Sequence, residues 1–83
     1  MIVIRGYFYD GKTSAQVPAH CRVYDNGAVQ VCAVNNAESL LKLPRFELKA
    51  SSRLANTQRY LYFPQGQTFE TEDNRAVDEA LRK

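Results

Sequence analysis

Between Arg59 and Phe69 the sequence reads RYLYFPQGQTF. Alternation leads into Pro64-Gln65-Gly66 and resumes after it. Leu61 and Phe63 fall on one side and Tyr60 and Tyr62 on the other, the period of a half-buried strand. Proline presets φ for the second position of a turn, and glycine accepts the left-handed conformation that closes a three-residue hairpin loop. In that register Leu61 lies opposite Phe69, and Tyr62 opposite Thr68. A slip of one residue would turn Phe69 into water, so the apolar pattern and the turn chemistry require the same pairing.

A second hairpin precedes it. From Gln16 to Tyr24, Val17, Ala19, Cys21 and Val23 share one face, while Pro18, His20 and Arg22 share the other. Pro18 points to an edge position or a strand start, because it cannot donate to a ladder. Asp25-Asn26-Gly27 is the turn, and Ala28 to Val34 returns with Val29, Val31 and Ala33 inward. A two-residue Asn26-Gly27 loop would oppose Cys21 to Cys32 but set Val23 against Gln30. A three-residue loop pairs Val23 with Val29 and Cys21 with Val31. Burying a valine is worth roughly 1.5–3 kcal/mol, more than the few tenths separating turn types. The three-residue loop with a left-handed Gly27 therefore wins, and it sends Cys21 inward and Cys32 to the opposite face.

The β-branched and aromatic stretch at 2–9 predicts the first strand, with Ile2, Ile4 and Phe8 on one face. Further strands are expected at 16–24, 28–34, 40–43, 46–50, 59–63 and 67–71. The one at 40–43 stops at Pro44. That at 46–50 turns Phe46, Leu48 and Ala50 inward and Glu47 and Lys49 outward. Ser51 to Thr57 forms a polar loop carrying Arg53 and Leu54. A helix over 74–82 follows, with Asp73 as N-cap and Ala76, Val77, Ala80 and Leu81 as its apolar stripe. Asp78 and Glu79 fall toward its N-terminal half and Arg82 and Lys83 in its last turn, as the helix dipole prefers. About ten residues of helix cannot persist alone, so the stripe must pack on the strands. The fold class is mainly β with one C-terminal α-helix. That order is similar to a pleckstrin-homology-like bent sheet or partly open barrel capped by the helix. A small SH3-like or OB-like barrel is the alternative, less favoured because the helix is terminal.

Function is less legible. A chain of 83 residues, 45% of them hydrophobic, is one small folded domain. A net charge of +2 is too small to imply a nucleic-acid partner. No apolar run is long enough to span a bilayer and no signal-peptide pattern opens the chain, so a cytoplasmic location is expected. Two cysteines and one histidine match no disulfide framework and no zinc spacing, and no cofactor is expected. Gly11-Lys12-Thr13 lacks the upstream glycine and the following helix of a phosphate-binding loop. His20 with Ser51 or Ser52 lacks an orienting acid and a nucleophile turn. Cys21, in a row of valines, reads as a small hydrophobe. Tyr7, Tyr9, Tyr60 and Tyr62 are more informative. Tyr60 and Tyr62 share an outward face, where they suit cross-strand packing or a protein contact. Glu47 and Glu70, assigned to that face, disfavour phosphate backbones and anionic lipids.

Two stretches carry a family resemblance. Gly6-Tyr7-Phe8-Tyr9-Asp10-Gly11 with Ser14 resembles a G-x-[YW]-[YF]-D-G-x-x-S start. Ser51-Ser52-Arg53-Leu54-Ala55, followed by Arg59-Tyr60-Leu61-Tyr62-Phe63-Pro64-x-Gly66, resembles S-x-R-L-[GA] and R-x-L-x-F-x-x-G. Together they look like the small N-terminal domain ahead of HtpX-like membrane zinc metallopeptidases in bacteria. Ala55 stands where glycine is commoner, and no His-Glu-x-x-His motif is present. The resemblance therefore implies a non-catalytic accessory or protein-interaction domain, with a downstream protease module or another cytoplasmic protein as partner. It places the domain on the cytoplasmic side of the inner membrane if it belongs to a longer protein. A nucleic-acid- or lipid-binding module is the alternative. Arg53 and Arg59 match the motif and carry two readings, loop anchor or partner contact; anchoring is favoured because so polar a loop needs fixing. The candidate protein-contact residues are thus Tyr60, Tyr62, Arg53 and Arg59.

Overall fold

The computed structural model describes residues 1–52 and 58–82. The expected strand at 2–9 is β1 (Ile2–Tyr9), followed by β2 (Val17–Val23), β3 (Val29–Ala33), β4 (Ser39–Leu43), β5 (Lys49–Ala50), β6 (Arg59–Tyr62) and β7 (Thr68–Thr71). The helix α1 (Asn74–Leu81) closes the chain. All seven strands form one antiparallel sheet in the order β4-β3-β2-β1-β7-β6-β5, curled into a half-barrel. This is the bent, helix-capped sheet expected of the pleckstrin-homology-like class.

Both hairpins adopt the predicted registers. Val23 pairs with Val29 and Cys21 with Val31, while Leu61 pairs with Phe69 and Tyr62 with Thr68. Gly27 and Gly66 close the two loops at φ 91° and 87°, where a Cβ would be strained. Inward residues of both hairpins meet in one core. Phe69, Ile4, Leu61, Val29, Val31, Val77 and Cys21 are its largest fully buried side chains. Val77 and Ala80 bring α1 onto the concave side, and burial of the valine alone contributes roughly 1.5–3 kcal/mol.

Strand β1 joins the two halves. It pairs with β2 from Ile2 to Phe8 but with β7 only over Tyr7, Phe8 and Tyr9. Gly6 stands where the second pairing begins. A Cβ there would run into the Glu70 carbonyl oxygen and come within 2.9 Å of the Phe69 ring, so this junction admits only glycine. Beyond it, a side chain replaces the ladder: Thr71 Oγ1 donates to the Arg5 carbonyl at 2.6 Å and accepts from the Asp73 N–H at 3.0 Å. Asp73 then caps α1 as expected, its Oδ1 accepting from the Ala76 N–H at 3.1 Å.

Of the two places expected for Pro18 the structure shows the strand start: it is the second residue of β2, which β1 and β3 flank, and its carbonyl accepts from the Val34 N–H. Four expectations need correction. The strand expected at 46–50 shortens to Lys49–Ala50, because the Phe46 N–H is taken by the Gly27 carbonyl at 3.0 Å. Phe46 still packs on the core, its ring 5.8 Å from that of Phe63. Glu47 therefore leaves the outer sheet face and lies in a cleft between the Tyr24–Gly27 turn and Leu81. In the helix, Leu81 is exposed, and neither an acid in the first turn nor a base in the last serves the dipole. Asp78 has another use, described below.

Candidate functional site: an aromatic face around a carboxylate

Strand alternation sends Arg5, Tyr7 and Tyr9 of β1 to the convex side, with Thr68 and Glu70 of β7 and Tyr60 and Tyr62 of β6. Register then sets them in rows. Pro18, Tyr7, Glu70 and Tyr60 oppose one another across four strands. The next row runs Tyr9, Thr68, Tyr62 and Lys49. Tyr7, Tyr60 and Tyr62 remain 43%, 37% and 46% exposed.

Glu70 is the centre of this face. Tyr9 Oη donates to its Oε1 at 2.7 Å, and Tyr60 Oη reaches its Oε2 at 3.5 Å. Gln16 Nε2 donates in turn to Tyr9 Oη at 2.9 Å. The hydrogen bond to Glu70, reinforced by partial burial, holds the Tyr9 hydroxyl above the usual phenol range, so it remains a donor. Beside the row a groove of about 600 Å³ opens, with Glu70, Glu72 and Asp73 toward β7 and α1 and Arg5 and His20 toward β1 and β2.

The site residues expected from sequence divide. Tyr60 and Tyr62 lie on the outward face as predicted. Arg59 does not: it shares the parity of Leu61 and is only 3% exposed, so it is no surface contact. It is the anchor that the other reading described. Its Nε donates to the Ser51 carbonyl at 2.8 Å, at the head of the polar loop, and its Nη1 to Asp78 Oδ1 at 2.9 Å. Arg53 lies outside the described residues. Sequence reasoning singled out Tyr7 and Tyr9 but did not join them to Glu70, since β1–β7 pairing spans most of the chain. Gly6, a glycine inside a strand pattern just ahead of three consecutive aromatic residues, was the available signal.

Other candidates do not converge. His20 is directly opposed to Cys32, whose Sγ lies 3.9 Å from Arg22 Nη1, while Cys21 sits in the core on the other face. Both thiols are free. Asp10 binds its own turn, accepting from the N–H groups of Lys12 at 2.8 Å and Thr13 at 2.9 Å. Among the described residues no group of three or more His, Cys, Asp or Glu side chains could hold a metal ion, and no helix is long and apolar enough to cross a membrane.

Fold and face together define a small curled β domain, capped by a helix, that presents tyrosines around a carboxylate. The chain belongs to the family described as a domain of unknown function, DUF7092, whose model matches residues 3–83. No curated protein and no solved structure matches it.

Proposed function

We propose that this is a non-catalytic accessory domain that holds another protein against its convex sheet face. The observation that carries the reading is the exposure of Tyr7, Tyr60 and Tyr62 together on β1 and β6, the two strands that flank β7. Large rings with few rotatable bonds give up little entropy on contact and dominate protein interfaces. A sheet pinned at Gly6 and Thr71 presents them preorganised, which lowers the ordering cost of association.

The resemblance to the N-terminal domain of HtpX-like membrane zinc metallopeptidases supplies the partner: a downstream protease module, or a cytoplasmic protein met near the inner membrane. On this reading the domain positions the protease or its clients and performs no chemistry. Glu70 in the midst of the tyrosines disfavours phosphate-rich partners, which ranks nucleic acid and anionic lipid second.

Amide-shift mapping of the domain, titrated with the module encoded downstream, tests this. Shifts clustered on Tyr7, Tyr60, Tyr62 and their strands are expected. Silence toward that module, with shifts produced instead by oligonucleotide or anionic vesicles, would transfer the function to the second class.

A further inference from the structure

Resting on that reading, a more specific one concerns what must meet Glu70. Its carboxylate is half-buried between Tyr7 and Tyr60 in a single cross-strand row. Its two contacts, Tyr9 and Tyr60, are neutral phenols. Among the described residues no lysine, arginine or histidine forms an ion pair with it. A partner covering both flanking rings must therefore also cover the carboxylate.

Three kinds of covering surface can be compared. An apolar surface would strip water from Glu70 and leave a charge unpaired, a penalty that would offset the gain from burying the rings. An acidic surface would add like-charge repulsion to the same loss. A cationic side chain pairs the carboxylate, and the electron-rich faces of neighbouring tyrosines attract the same charge. Arginine suits the position especially, since its planar guanidinium can both fork onto a carboxylate and stack on a ring. The groove agrees with this charge preference on the β7 side, where Glu72 and Asp73 extend the acidic wall beyond Glu70. Arg5 and His20 stand on the opposite wall, so an incoming cation is directed to the Tyr7–Glu70–Tyr60 row.

We infer that this row is a docking point for an arginine or lysine side chain carried by an extended basic segment of a partner protein. The carboxylate supplies the counter-charge, and the exposed rings supply contact area and cation–π attraction.

The test is a titration of the labelled chain with three short, end-blocked peptides, alternating serine with arginine, lysine or glutamate. The arginine and lysine peptides should shift the amides of Tyr7, Tyr60 and Glu70, and the glutamate peptide should not. Glu70→Gln keeps an oxygen that can accept from Tyr9, so the native amide spectrum should persist while affinity for the arginine peptide falls about tenfold. Tyr60→Leu alters an exposed ring and should weaken the same peptide with Glu70 intact. Undiminished affinity in both variants, or basic-peptide shifts confined to other surfaces, would overturn the inference. The broader reading fails separately. If the downstream module still binds the tyrosine face of Glu70→Gln with full affinity, the contact function stands and the cationic requirement falls. If the basic peptides bind the row but the module does not, the reverse holds.

Discussion

Arg59 on β6 and Asp78 on α1 meet at 2.9 Å, with the arginine side chain 4% and the aspartate 28% exposed. The pair fastens the C-terminal helix to β6, the neighbour of the strand β7 from which the helix departs. The same guanidinium holds the Ser51 carbonyl. One buried cation thus ties together strand, helix and the start of the polar loop.

Arg59→Ala should therefore destabilise the domain although it removes no apolar core residue. Losing a charged hydrogen bond costs about 1.5–3 kcal/mol, and Asp78 can rehydrate because it reaches the surface. In a domain of this size each kcal/mol lowers Tm by about 4–8 °C. Thermal melts of Arg59→Ala, Asp78→Asn and the double variant should show clear coupling between the two sites. Additive effects would mean that the helix is held by Val77 and Ala80 alone.

Phe69 is fully buried and opposes both Leu61 and Phe8. Truncation to alanine should cost about 3–5 kcal/mol, most of what a small domain has. The amide spectrum of Phe69→Ala should collapse toward that of an unfolded chain. A native-like spectrum would contradict the pairing of β6 with β7.

Gly6→Ala should be as damaging as a core truncation, though it adds a single methyl. The clash is with backbone, the Glu70 carbonyl, which cannot move without parting β1 from β7. Hydrogen exchange should report loss of protection in β7 and β6 before the β2–β3 hairpin. Uniform loss across all strands would mean that the two halves fold as one unit regardless of this junction.

Cys21 and Cys32 should stay reduced and resist alkylation until the domain is unfolded, because both are buried on opposite sheet faces. Intact mass before and after denaturation in the presence of an alkylating reagent measures this. Burial pushes the Cys21 thiol from 9.0 up to about 12. A raised acid favours the neutral thiol in the folded state. Its contribution is complete below 9.0 and is lost as pH rises toward 12. Denaturation midpoints should fall more steeply over that window for the native chain than for Cys21→Ala.

Much of the fold was legible because hairpins are local. The Asp25-Asn26-Gly27 and Pro64-Gln65-Gly66 turns fix their loop lengths, and alternating apolar residues reject every register but one. The face of Tyr60 and Tyr62 followed from the same parity; the parity also sets Arg59 beside Leu61, yet its charge kept a surface contact among its expected roles until the structure buried it. Asp73 announced the helix start by its chemistry alone.

Tertiary structure decided the rest, since those features depend on contacts between distant segments that no local pattern encodes. The meeting of β1 with β7 brings Tyr7 and Tyr9 to Glu70 across most of the chain. The Phe46 N–H takes the Gly27 carbonyl, which shortens β5 and draws Glu47 off the outer face. Asp78 abandons any role in the helix dipole because a buried guanidinium needs it more. Sequence set the strands and their faces through steric and solvation rules acting over a few residues. Which faces were joined into one surface depended on how the sheet curled, and that was fixed by the packing of the whole core around Phe69.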